Sequence, residues 1–435
     1  MFFSNFLSLG LAATFVAAQE SWIVPGAVWY DTDGNKIDAH GGGVIQQNDT
    51  FYWTGHSISN GVTPIIYSST DLVNWQNLGT QAPEVWSIWR PKSAMPDGQF
   101  WIYGQQNREV LSLTSDQLIG EYSTVDSTLL PPDDLDYSDT GMFYDPNDST
   151  WYLLTSADHN IVQINAINSD GTIGDRVTEF AEGEWEAPGV FVADGLYFLI
   201  LSDKTGYRSN PNKVWWADSL AGPWTGGTDI APPEENTYNS QNTHELTIEG
   251  SEQTTYIYMG DAWDDDGGEN SNYVWLPMIV DTSNPSVTLD YHEMWSIDPL
   301  TGVVSTPSTR TRYEAEQGRL SGRSTITECS HCISKRAVHD IRSGSEVTFD
   351  NVSGSGSSEW VSFHYTVNDP TAGEAYVIVN DEPINLSALN SRAGHHPTVP
   401  VKLSLLPGDV NSVTFGAVGT DDFEVFFDGI EFYEA

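Results

Sequence analysis

Glu186 stands in Glu184-Trp-Glu-Ala-Pro-Gly-Val190, ahead of Ala-Pro-Gly, whose proline and glycine could fix the backbone, and of a run that reads as a strand. A carboxyl group that is buried keeps its proton above the usual carboxylate range and can hand it to a leaving oxygen. Cleavage between two sugars by this route needs such a donor and, for inversion, a second group that activates water from the opposite face. With 61 Asp and Glu among 435 residues, carboxylate count alone selects no partner. Glu184 reads as a solvated turn residue. Asp139, in Tyr137-Ser-Asp-Thr-Gly-Met-Phe143, follows Asp133, Asp134 and Asp136, so a turn or cap role competes with chemistry there. Gln241, in Ser240-Gln-Asn-Thr243, carries an amide, which holds water well and takes its proton poorly. Asp38 and Glu245 are the ordinary carboxylates that rival it.

These residues are far apart in sequence, so the fold must gather them. From Trp22 to about Val304, short β runs alternate with Gly, Asn, Asp and Pro turns and no helical period is sustained. Phe51-Tyr-Trp-Thr-Gly, Phe100-Trp-Ile-Tyr-Gly, Trp151-Tyr-Leu-Leu-Thr, Leu196-Tyr-Phe-Leu-Ile and Tyr256-Ile-Tyr-Met-Gly recur at roughly fifty-residue spacing. Five repeats of about four strands predict a five-bladed β-propeller over 19–304, in which radial repetition leaves few open sheet edges. Ser305-Thr-Pro-Ser-Thr-Arg-Thr311 reads as a linker. The alternating runs of 312–435 predict a jelly-roll β-sandwich, so the expected fold class is all-β throughout.

Ala39-His-Gly-Gly-Gly43 followed by Phe51-Tyr-Trp-Thr-Gly55 adds a resemblance. Three glycines are poor strand material and make sense where backbone must approach another group closely. The stretch resembles the first blade of the galactan-directed branch of glycoside hydrolase family 43. Most of that family carries a catalytic aspartate where this chain has Gly41. The resemblance implies that Glu186 is the general acid, that Asp139 positions it and tunes its pKa, and that Gln241 takes the base's place by orienting water or through its imidic tautomer. Thr205-Gly-Tyr-Arg-Ser-Asn210, Tyr258-Met-Gly-Asp-Ala-Trp263, Asn272-Tyr-Val-Trp-Leu-Pro277 and Arg90-Pro-Lys92 also match family motifs. The chain departs from the pattern at Tyr137-Ser138, where the family has Ser-Arg, and at Trp89, where the family has a glutamate that helps hold the sugar. His40, Trp53, Trp89, Tyr207, Asp261, Trp263 and Trp275 are the expected sugar contacts, although each aromatic equally suits a β core. Arg312-Tyr-Glu-Ala-Glu316 and Phe427-Asp-Gly-Ile430 resemble carbohydrate-binding modules of families 35 and 6. That likeness implies a structural calcium on Glu314, Glu316 and Asp428, whose carboxylate oxygens are hard ligands. The competing reading leaves these glutamates facing solvent on an edge strand.

Met1 to Ala18 has the apolar centre and small-residue end of a signal peptide, so a secreted, extracellular protein is expected. The net charge of -44 and a pI of about 4.1 exclude nucleic acid and anionic membrane as natural partners and leave neutral polysaccharide. Cys329 and Cys332 are the two cysteines, and a local disulfide is expected over zinc. Sequons at Asn48, Asn147, Asn351 and Asn385 fit the secretory route. The combined expectation is a monomeric inverting exo-glycosidase on β-1,3-galactan that uses no cofactor for catalysis. The rival readings are a family-43 β-xylosidase or α-arabinofuranosidase and a catalytically silent sugar-binding propeller.

Overall fold

The computed structural model describes residues 22–125, 135–158, 160–264, 267–330, 332–367, 373–389, 398–418 and 425–434. The leader at Met1–Ala18, Asp133, Asp134 and His331 lie outside these residues. Among the described residues, the strands from His40 to Leu289 form five four-stranded antiparallel sheets, each paired in chain order. Their first strands are His40–Gln47, Trp89–Ala94, Tyr137–Asp145, Trp185–Ala193 and Gln241–Glu249. Each packs against the next, and the fifth packs back on the first, which closes a ring. The five look-alike sequence segments are the second strands: Thr50–Ser57, Phe100–Gln106, Thr150–Ala157, Leu196–Asp203 and Thr254–Ala262.

Register breaks fall where the first strands begin. They lie between His40 and Gly43, Trp89 and Lys92, Glu186 and Gly189, and Asn242 and His244. In the third sheet the extra residue is again on the first strand, between Tyr137 and Thr140, opposite Thr155 and Ala157. Such bulges bend a strand and re-aim the side chains around them, which is why they collect near active sites.

Trp53 and Trp275, expected as sugar contacts, are buried in the core. Their ring centroids are 4.7 Å apart and both are about 1% exposed, packed with Trp75 and Trp295 into the seam between the first and fifth sheets. Indole rings of that size fill the widening space between twisted sheets, so these two positions are core rather than contact.

The second unit consists of a six-stranded and a five-stranded sheet packed face to face. Phe415 of one stacks on Phe427 of the other, with centroids 4.3 Å apart. Its first strand, Thr309–Glu314, pairs with Val425–Tyr433, so Thr309 to Thr311 belong to this unit and not to a free linker. The units touch through Val24, Ala27 and Met294 against Trp360 and Tyr433, and Ser362 Oγ donates to Glu293 Oε2 at 2.9 Å. Cys329 and Cys332 form the expected disulfide.

Candidate active site

The starts of the first strands surround a cavity of about 330 Å³, lined among others by Trp89, Arg90, Asp139, Glu186, Tyr207, Gln241 and Trp263. Three residues remote in sequence are thereby joined. Gln241 Nε2 donates to Glu186 Oε1 at 2.7 Å, and Asp139 Oδ2 accepts the backbone N–H of Ala187 at 2.9 Å. Ala187 takes φ +52, a strained value for a residue with a Cβ, so this link is held against local preference.

Burial pushes the Glu186 carboxyl up to about 8, and the nearby charge of Asp139 pushes the same way; Arg90, Lys204 and the Gln241 hydrogen bond pull against them. A group poised there is protonated at neutral and acid pH, as a proton donor must be. Glu184 is solvent exposed.

Arg90, which sequence reading treated only as part of a matching motif, organises the cluster. Its Nε lies 3.0 Å from Asp139 Oδ1, its Nη1 donates to Asn242 O at 3.0 Å, and its Nη2 donates to Gln241 Oε1. Trp263 Nε1 donates to the same Gln241 oxygen at 2.9 Å. Two donors identify that atom as the carbonyl oxygen and fix the amide's orientation. Trp263 also stacks on His56 at 6.1 Å and meets the edge of Tyr207 at 5.7 Å, while Trp89 meets His56 edge-on at 5.1 Å. Trp89, Tyr207 and Trp263 therefore form the aromatic wall.

His40 and Asp261 were expected to touch sugar, yet both sit one layer behind. His40 is 1% exposed and stacks on Tyr273 at 4.9 Å; Asp261 accepts the N–H of Gly41 and lies 3.9 Å from His40 Nδ1. Neither lines the cavity; each is spent on contacts behind it, His40 on Tyr273 and Asp261 on Gly41 N. Asp38 is also elsewhere. Its carboxylate accepts from Ser57 Oγ at 2.8 Å, Ile58 N at 2.9 Å and Ser59 N at 3.0 Å, which ties it into a turn. Glu245 opens instead on a rear cavity of about 780 Å³ that also touches Gly43, Lys92 and His244.

The glycine triplet has a steric reason. Gly41 has φ +58, and a Cβ there would lie 2.7 Å from Arg90 Cγ; one on Gly43 would lie 2.9 Å from Lys92 Cδ. The aspartate that most of the family carries at Gly41 has no room beside this arginine. Scarcity was the available signal for Arg90: Lys and Arg number only 17, and two of them stand within three residues here.

In the second unit, Arg312 Nη2 donates to Asp428 Oδ2 at 2.7 Å and its Nε to Glu314 Oε1 at 3.1 Å. Glu314 is thus committed to a guanidinium and departs from the expected ligand set. Glu316 Oε2 and Asp428 Oδ1 are buried with no hydrogen-bond partner, a state that suits a hard cation. Among the described residues, no three His, Cys, Asp or Glu side chains are arranged to hold a metal by themselves.

The model of a family described as glycosyl hydrolases family 43 matches residues 38–272. A crystal structure of an exo-β-1,3-galactanase from Phanerochaete chrysosporium with galactose is similar at TM-score 0.84 and 33% identity, over 95% of this chain and 100% of that one. A variant of that enzyme crystallised with β-1,3-galactotriose matches equally well. An exo-β-1,3-galactanase from Clostridium thermocellum shares the fold at TM-score 0.62 and 22% identity, over 94% and 100% of the two chains. No curated protein matches the sequence.

Proposed function

The chain belongs to glycosyl hydrolases family 43 and is a glycoside hydrolase, and from that premise we propose that it removes galactose from the ends of β-1,3-galactan chains with inversion. The observation that carries the reading is the contact of Glu186 with Gln241 in a cavity that also holds Asp139. Glu186 donates its proton to the leaving glycosidic oxygen, and Asp139, held by Arg90, keeps that proton in place by its charge. Gln241 orients water as an ordinary amide, and the proton that this water sheds as its oxygen bonds the anomeric carbon passes to solvent water in the open cavity, while the leaving oxygen takes the one from Glu186. An imidic O–H on its Oε1 would face Arg90 and Trp263, both donors, and find no acceptor. The direct contact with Glu186 leaves no room for a sugar between the two, so substrate must part them on entry.

On this reading the five sheets are the blades of a propeller and the two-sheet unit is a jelly-roll module that holds the enzyme on polymer. A structural calcium in that module would rest on Glu316 and Asp428. Export by the leader at Met1–Ala18 and action as a monomer complete the proposal. The test is a digest of β-1,3-galactotriose followed by proton NMR. Galactose should appear first as the α anomer, and Glu186→Gln should abolish its release while polymer retention persists. Faster turnover of xylan or arabinan oligosaccharides, with Trp89 as the altered contact, would move the substrate to the rival class.

A further inference from the structure

Lys92 is 0% exposed, in a protein with few cations, at the centre of the ring of first strands. Its Nζ donates to Gly41 O at 2.6 Å, Thr140 O at 3.0 Å and Arg90 O at 3.3 Å. These carbonyls come from the first strands of three successive sheets. No carboxylate lies within ion-pair distance of this ammonium among the described residues; Asp139, Asp261 and Glu245 act on it only from further away. A buried cation is costly, and backbone dipoles alone offset that cost only when several converge.

The three bonds join backbone that the active site uses. Thr140 follows Asp139 and donates its Oγ1 to Arg90 O at 2.6 Å; Gly41 N donates to Asp261; and the Arg90 side chain holds both Asp139 and Gln241. Lys92 lines the rear cavity, and its ammonium bonds go to backbone carbonyls. We infer that Lys92 is a positioning residue for hydrolysis, a tethered cation whose ammonium gathers the Gly41, Arg90 and Thr140 carbonyls and so sets Arg90 and Asp139 against Glu186.

The inference rests on the hydrolase reading, and the experiment separates the two. Wild-type enzyme inactive on β-1,3-galactotriose fails that reading; an active wild type with a fully active Lys92→Met fails this one. Lys92→Met keeps the volume without the charge. It should lower kcat about 100-fold, the scale of a small misplacement of catalytic groups, with KM little changed. Lys92→Ala should lose as much and, because the position opens on the rear cavity, regain activity when ethylammonium chloride is added. A neutral filler of like size, propionamide, should give no recovery. Equal recovery by propionamide would make the role one of packing and overturn the inference. So would a loss confined to KM, or unfolding of both variants, which would make Lys92 purely structural.

Discussion

Gly41 limits by its bare backbone what can stand beside Arg90. The family's usual base cannot be restored here by substitution alone, since Gly41→Asp must place a Cβ 2.7 Å from Arg90 Cγ on backbone at φ +58. Its kcat is expected to fall about 100-fold or more, because Arg90 has to yield its hold on Asp139 and Gln241; kinetics on the trisaccharide check this. Asp38→Asn should leave kcat untouched. Burial raises the Asp38 carboxyl, but bonds from Ser59, Ile58 and Ser57 outweigh it and leave it below the ordinary value. Losing those bonds to the charged form should cost about 1–3 kcal/mol of stability, read in urea unfolding. The activity itself should decline with alkalinity. As the proposed acid, Glu186 would act only when protonated, so kcat/KM is expected to fall as pH rises through about 8, measured as a pH profile.

The first strands and their bulges carry the site, and they are also the part that was hardest to read. Second strands such as Phe100–Gln106 announce themselves by aromatic runs at a regular spacing, because they pack between neighbouring sheets. First strands are buried on both faces and broken by bulges, so they show neither alternation nor a common motif. Glu186, Asp139 and Gln241 were legible through flanking motifs, and Trp89, Tyr207 and Trp263 through aromatic type. Motif membership misled at His40, Asp261, Trp53 and Trp275, since a motif places a strand in the ring without saying which of its side chains reach the cavity: the two indoles pack in a seam between sheets and the other two are bonded behind the cavity lining. Gly189, in the Ala-Pro-Gly run, tests the packing of these strands. A Cβ there would lie 2.0 Å from Glu245 Oε2. Gly189→Ala is expected to cost about 1–3 kcal/mol in thermal or urea unfolding, and to disturb Glu186 three residues earlier.

At the scale of the whole molecule, buried carboxyls join a large negative charge in favouring mild acidity. Burial raises Glu186 and Glu245 to about 8, and it raises Glu293 where the two units meet. Each binds its proton more tightly folded than unfolded, so the stability it contributes is complete below the ordinary carboxylate range and is lost as pH rises through the folded value. Depressed groups run the other way. Asp38, Asp71 and Glu431, the last at about 2, lose their contribution only as pH falls through their folded values. Lys92, lowered to about 7 by burial, opposes the carboxyl trend only above that pH. The melting temperature should therefore be higher near about pH 5 than near about pH 8, as calorimetry would show. Arg90 and Gln241 line the front cavity and Lys92 lines the rear one, so a single hydrogen-bonded layer of side chains and backbone lies between the two. Under the proposed exo action, a released monosaccharide would leave by the opening through which the next chain end arrives. On that reading attack on a long polymer would be distributive, with the strand withdrawn after every cut and free product competing with it for the same doorway.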